Sequence, residues 1–205
     1  RFLYSYPETI DDELIKVVKE NEKVCKYFDI PIQHISNNVL KRMNRKSNGE
    51  SIRKLIQKLR KEIPNVILRT TVMVGFPGET EEDFEELYNF LKEAKFDKLG
   101  AFMYSKEEGT GAEKMPNQIH PATKKSRYNK IMKLQKELSK QNEQKLLGRE
   151  LEILIEDMSF DKKYYVGRSY MDVPEIDGVA YIKKNTDQNL IGQYIKAKVV
   201  EVKDY

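Results

Sequence analysis

Cysteine is the scarcest chemical resource of this chain: Cys25 is its single thiol in 205 residues. A lone thiol closes no internal disulfide and fits a reducing compartment. No second Cys or His stands near it at metal-ligand spacing, so Cys25 reads as a packing residue. Long hydrophobic runs are also missing. No stretch approaches the roughly 18 apolar residues of a membrane helix, and no basic-then-apolar leader opens the chain. These absences exclude a helical membrane span and make the cytoplasm the expected location. The sequence begins at Arg1 and enters a strand-like run at once, so it is expected to be a fragment of a longer protein.

What is present is a hydrophobic share of 39%, enough for a core, and abundant charge that is unevenly divided. Residues 1–147 carry 28 Lys and Arg against 22 Asp and Glu, while residues 148–205 carry 9 against 11. The net formal charge of +4 therefore hides a basic first part and a mildly acidic second one. Two domains are expected, 1–147 and 148–205, facing different partners.

Apolar spacing gives the first part a repeating plan. Phe2–Tyr6 reads as a strand stopped by Pro7, and Leu14, Val17 and Val18 then recur at helical spacing. Tyr27–Ile32 resembles a short buried strand. Val39, Leu40 and Met43, then Ile52, Leu55, Ile56, Leu59 and Ile63, mark a helical stretch broken near Asn48-Gly49. Val66–Val74 is β-branched and almost continuously apolar, as expected of a parallel strand covered on both faces. Thr80 is placed to cap a helix from Glu81 to Ala94, whose acidic first turn suits the helix dipole. A strand at Leu99–Tyr104 and a helix at Ala122–Leu147 follow. Four βα units of this kind predict an α/β fold with right-handed parallel crossovers, part of a (β/α) barrel with an open edge. After Gly148 the pattern changes to short alternating strands, at 151–155, 164–168, 179–182 and 194–202, which predict a small all-β barrel of the oligonucleotide-binding type.

In parallel βα folds the chemistry sits at the carboxyl ends of the strands. Tyr6-Pro7, Pro31–His34, Gly75–Glu79 and Tyr104-Ser105 all fall there. Gly75 and Gly78 allow close approach to the main chain and Pro77 fixes the turn, so a flat ring can lie against Gly75, Phe76, Pro77, Gly78 and Glu79; a tight turn with a helix cap explains the same residues. Gln33 and His34 add an amide and an imidazole to that mouth. Arg69, a charge inside an apolar strand, needs a partner, either a ligand carboxylate or an acid such as Asp29. The basic run Lys124, Lys125, Arg127, Lys130, Lys133, Lys136 and Lys140 fits either an RNA-attracting or a simply solvated helix face. In the second part, the loop Gly167–Gly178 gathers Asp172, Glu175 and Asp177 around Pro174. Such a loop suits a basic protein better than a polyanion.

Ile30-Pro31-Ile32-Gln33-His34, Val39–Arg45, Val74-Gly75-Phe76-Pro77-Gly78-Glu79-Thr80, Phe102–Ser105 and Glu108-Gly109-Thr110, in this order and before a terminal small barrel, resemble the radical S-adenosylmethionine methylthiotransferases that end in a TRAM domain. The match spans nearly the whole chain. One branch of that family modifies an adenosine beside the tRNA anticodon, and the other an aspartate of small-subunit ribosomal protein twelve. Asp172–Gly178 and Gln33-His34 look like the second branch.

The resemblance implies S-adenosylmethionine and two four-iron four-sulfur clusters in the full-length protein. Their CxxxCxxC run and auxiliary cysteines are not in this sequence. It also implies a deoxyadenosyl radical that takes hydrogen from an aspartate β-carbon before a methylthio group is delivered. On this basis Gly75–Glu79 are expected beside the adenosyl group, with Gln33, His34 and Arg69 as polar contacts. Arg168, Asp172, Glu175 and Asp177 are expected to dock the ribosomal protein, in an enzyme acting as a monomer with possible contact to RNA or the ribosome surface. The fragment alone is expected to be inactive. A non-catalytic RNA-binding module is the alternative from a different class.

Overall fold

Tyr27–Asp29 (β1), Ile67–Val74 (β2) and Lys98–Met103 (β3) pair in parallel in the order β1-β2-β3. The computed structural model describes residues 1–185 and 188–203. The chain divides into two units, Arg1–Ser139 and Lys140–Tyr205.

Around the parallel sheet run the helices Asp12–Glu20 (α1), Asn37–Arg42 (α2), Gly49–Glu62 (α3), Glu81–Ala94 (α4) and the first part of Pro121–Gln144 (α5). Local chemistry fixes their starts. In α3, Asn48 and Ser51 form a reciprocal capping box, and in α4 Thr80 and Asp83 do the same. Glu81, Glu82 and Asp83 fill the first turn of α4, where the partial positive charge of the helix end favours them. The helical break expected near Asn48 is therefore a true start. Ile15 and Val18, Leu40, Ile52, Ile56 and Leu59, Phe84, Leu87 and Leu91, and Ile131 and Leu134 join Phe28, Leu68, Val72 and Val74 in one buried core.

Two details differ from the sequence pattern. Strand β2 is not sealed on both faces: Leu68, Thr70, Val72 and Val74 are buried, while the alternate residues Arg69, Thr71 and Met73 are only half-buried. Helices cover one side of the sheet, and Arg69, Thr71 and Met73 face the other. The strand expected at Phe2–Tyr6 is reduced to a single parallel bridge, Phe2 to Phe28, with Ser5 N–H donating to Asp29 O at 2.9 Å. Tyr4 sits at φ 56° and breaks the extended run before the 3-10 turn Pro7–Thr9.

The second unit is a curled antiparallel sheet of Glu150–Met158 (β4), Tyr164–Arg168 (β5), Ala180–Lys183 (β6) and Tyr194–Lys198 (β7), ordered β6-β5-β4-β7. Its small core is Ile153, Ile155 and Tyr165, flanked by Leu151, Ile182 and Ile195. A register shift between Ile155 and Asp157 bends β4. Gly167 is obligatory here, because a Cβ at that position would meet Leu154 O at 2.3 Å.

Candidate active-site groove

The turn after β2 is held from behind by a buried ion pair. Gly75 and Gly78 adopt φ 75° and 82°, a conformation that favours glycine. The Glu79 carboxylate reaches back to accept the Gly75 N–H at Oε2, 2.7 Å away. Its other oxygen accepts from Arg127 Nη1 at 2.6 Å, and Arg127 Nη2 extends the bridge to Glu81 at 2.9 Å. Glu79 is 2% exposed and Arg127 6%. Burial pushes the Glu79 carboxyl above its ordinary value, against the opposing pull of Arg127 and the Gly75 N–H.

His34 lies in the same buried layer. Its Nδ1 accepts the Ser36 N–H at 3.0 Å, so Nε2 carries the proton in the neutral ring. That Nε2 is 3.8 Å from Glu79 Oε2, beyond hydrogen-bond range, and has no hydrogen-bond partner among the described residues. Burial pulls the imidazole pKa down to about 4; the Asp83 charge opposes the shift and Arg127 adds to it. Asp83 accepts from the Ser36 hydroxyl, from Thr80 N–H at 2.9 Å and from Asn38 Nδ2 at 2.8 Å. Burial pushes its carboxyl up, but these bonds outweigh burial and hold it below the usual range. Helix α2, the turn and α4 are thereby tied together.

In front of this layer lies a groove of about 400 Å³, lined by Gln33, Arg42, Met43, Asn44, Arg45, Met73, Phe76, Gly111, Ala112 and Met115. Phe76 meets Tyr104 edge to face, with ring centroids 5.2 Å apart. Lys124 Nζ donates to Tyr104 O at 2.9 Å and lies 4.8 Å from the same ring. Gln33 takes φ 67° and bridges in parallel to Val72, which places its side chain at the groove.

Of the residues expected at the mouth, Gln33 and Phe76 line this groove. Gly75, Pro77, His34 and Glu79 form the buried layer behind it, and Gly78 lies between. Arg69 stands lower in the sheet, in register with Asp29 on β1 and Lys98 on β3. The sequence reading missed Arg42, Met43, Met73 and Met115 as lining groups, and it took Arg127 for part of a basic surface. A signal for Arg127 did exist: it shares one helical stripe with the buried Ile131, Leu134 and Leu138. Lys130 is exposed and pairs with Glu81 and Glu85 at 3.9 and 3.7 Å, so this part of the basic run is neutralised locally.

In the second unit the acidic loop is self-organised. Asp172 accepts from Ser169 N–H at 3.2 Å and from Ser169 Oγ at 2.8 Å, and Asp177 accepts the Val173 N–H at 2.9 Å. Arg168 is paired with Glu156 at 2.8 Å. Glu175 sits at φ 64°, exposed beside exposed Pro174 and Ile176.

S-adenosylmethionine and Cys-ligated iron–sulfur clusters have different prospects here. Among the described residues no group of three or more His, Cys, Asp and Glu side chains is arranged to hold a metal ion, and Cys25 is the single thiol. Residues 1–205 therefore do not fit a Cys-ligated cluster. The groove, with an aromatic wall, thioethers and two amides, does fit an adenosyl group.

Comparison with known proteins agrees with this architecture. Residues 1–91 match the radical SAM superfamily and residues 147–205 the TRAM domain. The chain is 60% identical over its whole length to a protein of Alkaliphilus oremlandii named ribosomal protein uS12 methylthiotransferase RimO, and 53% identical to one of the same name from Clostridium perfringens strain SM101. It covers 47% and 45% of those two proteins, so it spans about half their length. A solved radical SAM enzyme, coproporphyrinogen III oxidase from Escherichia coli, superposes with a TM-score of 0.55 at 12% identity over 82% of this chain and 45% of its own, a likeness of fold alone. The class is thus a partial radical SAM α/β sheet followed by an antiparallel β-unit. Residues 1–91 are similar to the radical SAM superfamily and residues 147–205 to the TRAM domain, and the whole chain is similar to the matching half of proteins named RimO. No helix among the described residues is long and apolar enough to cross a membrane.

Proposed function

We propose that the chain is the C-terminal part of an enzyme that methylthiolates the β-carbon of an aspartate in small-subunit ribosomal protein twelve. The observation that carries this reading is the 60% identity, without a gap in coverage of this chain, to a protein named for that activity. Residues 1–147 form the end of the radical SAM barrel and 148–205 the TRAM barrel. S-adenosylmethionine supplies the radical chemistry when bound with two iron–sulfur clusters whose ligands lie outside this sequence.

The chain's own part is to bind and position. Phe76 and Gln33 offer the adenosyl group a ring face and an amide, while Glu79 and Arg127 hold the glycine turn rigid behind them. Glu175, with Asp172, Asp177 and Arg168 around it, forms an acidic docking edge for a basic ribosomal protein.

Full-length protein, reconstituted with iron, sulfide, S-adenosylmethionine and reductant, is incubated with the ribosomal protein and with tRNA in parallel. The expected product is a methylthio adduct on one aspartate, located by tandem mass spectrometry. A methylthio-nucleoside in the tRNA with unmodified protein transfers the assignment to the RNA-modifying branch. Steeply salt-dependent RNA binding with neither product favours the binding-module alternative.

A further inference from the structure

Arg42 is the last residue of α2, and its guanidinium lies close against Gly78. A Cβ on Gly78 would fall 2.5 Å from its Cζ and 2.8 Å from Nε and Nη1, so the approach exists only because residue 78 is glycine. The neighbouring Arg45 is committed: it donates to Pro31 O at 2.9 Å and covers the Tyr6 ring at 5.0 Å. Arg42 is not. Among the described residues its half-buried side chain makes no hydrogen bond and no ion pair, yet it lines the groove. A guanidinium carries five donors in a planar fork matched to a planar two-oxygen acceptor.

The rest of the groove narrows the identity of that acceptor. Its walls are Met43, Met73, Met115, Phe76 and Ala112, a lining that adapts to an irregular organic ligand and offers nothing to a heavily hydrated inorganic anion. With Gln33 assigned to the adenosyl group, Asn44 adds an amide able to pair with a peptide main chain. Gly111 and Asn44 are exposed, so the groove is reachable by a segment of a macromolecule. A carboxylate on a short side chain meets all of these conditions at once.

We infer that Arg42 anchors the side-chain carboxylate of an aspartyl residue presented in this groove, and so selects an acidic side chain over a nucleobase. The inference rests on the methylthiotransferase reading and names a specificity residue that the reading leaves unassigned. The other carboxylate within reach of such a site is the methionyl end of S-adenosylmethionine, and the two sources are separable by experiment.

Binding is measured on the full-length, cluster-loaded protein without reductant, so that no turnover occurs. The probes are a fluorescent peptide spanning the target aspartate, its Asp-to-Asn counterpart, and S-adenosylmethionine alone. Wild type is expected to prefer the Asp peptide. Arg42→Gln is expected to weaken that peptide by about 10- to 100-fold, the size of a lost charge-assisted pair, while leaving the Asn peptide and S-adenosylmethionine within about twofold. Arg42→Lys is expected to keep part of the preference, because the charge remains and the fork is lost. An unchanged Asp-over-Asn preference in Arg42→Gln overturns the inference, as does a loss confined to S-adenosylmethionine. If wild type binds neither peptide, the methylthiotransferase reading fails with it; if wild type discriminates and the variant does too, only the role of Arg42 fails.

Discussion

Arg127 on α5 and Glu79 in the turn after β2 form a charge pair 2.6 Å long, with both partners buried. The pair spans 48 residues of sequence and joins a helix beyond the matched radical SAM segment to the turn that shapes the groove. Removing one member strands the other charge in a buried site. Arg127→Met is therefore expected to cost about 3–5 kcal/mol of stability, and Arg127→Lys less because Lys keeps the charge. Urea denaturation of the three proteins checks the order. Equal stability of Arg127→Met and wild type would show that the pair contributes nothing net.

Acid sensitivity follows from His34. Its folded pKa of about 4 lies below the ordinary 6.5, so the unfolded chain binds the extra proton first as pH falls. The resulting stability is fully present above pH 6.5 and is lost as pH drops toward about 4. Glu79 has the opposite sign: its raised pKa contributes stability at low pH that is lost as pH rises through the folded value. In His34→Gln, which cannot take up a proton, the fall in stability between pH 6.5 and 5 is expected to become shallower. Denaturation midpoints measured across that range test the sign.

Gly78→Ala is expected to act twice. The φ of 82° costs an L-residue roughly 1–2 kcal/mol, and the new methyl displaces the Arg42 guanidinium. Stability should fall modestly, while binding of the Asp peptide falls as it does in Arg42→Gln. Gly109→Ala is the control, since its φ of 80° carries the same backbone strain and a Cβ there meets nothing within 4 Å. It should lose stability with peptide affinity unchanged.

The acidic loop divides into a frame and a tip. Asp177→Ala removes the acceptor for the Val173 N–H and is expected to loosen the loop, which faster amide exchange at Val173 would report. Among the described residues Glu175 makes no hydrogen bond to the frame, so Glu175→Lys is expected to leave stability within about 0.5 kcal/mol. It is expected to weaken association with the basic ribosomal protein, most clearly at low salt. A Glu175→Lys variant that binds as tightly as wild type at low ionic strength removes the tip from the interface.

Elements with local causes were legible in the sequence. Thr80 and the acids after it gave α4, β-branched residues gave β2, and Gly148 marked a change from helical to alternating pattern. The groove was only half legible. Gln33 and Phe76 sit next to strand ends and announce themselves, but Met43, Met115 and Arg42 come to the groove from other parts of the chain, Arg42 lying against Gly78 from 36 residues away. Arg127 was misread as surface because its charge outweighed its place in a buried helical stripe. The expected strand at Phe2 failed for a local reason, since a positive φ at Tyr4 leaves no signature in a tyrosine.

The alternation along β2 separates heritable constraint by residue parity. Leu68, Thr70, Val72 and Val74 answer to the helices, so exchanges there are screened by folding. Arg69, Thr71 and Met73 are half-buried on the other side, and of the three Met73 lines the groove, so an exchange at Met73 reshapes the groove without opening the core. One strand thus carries the architecture on its even positions while an odd position, Met73, is left to shape what the groove admits.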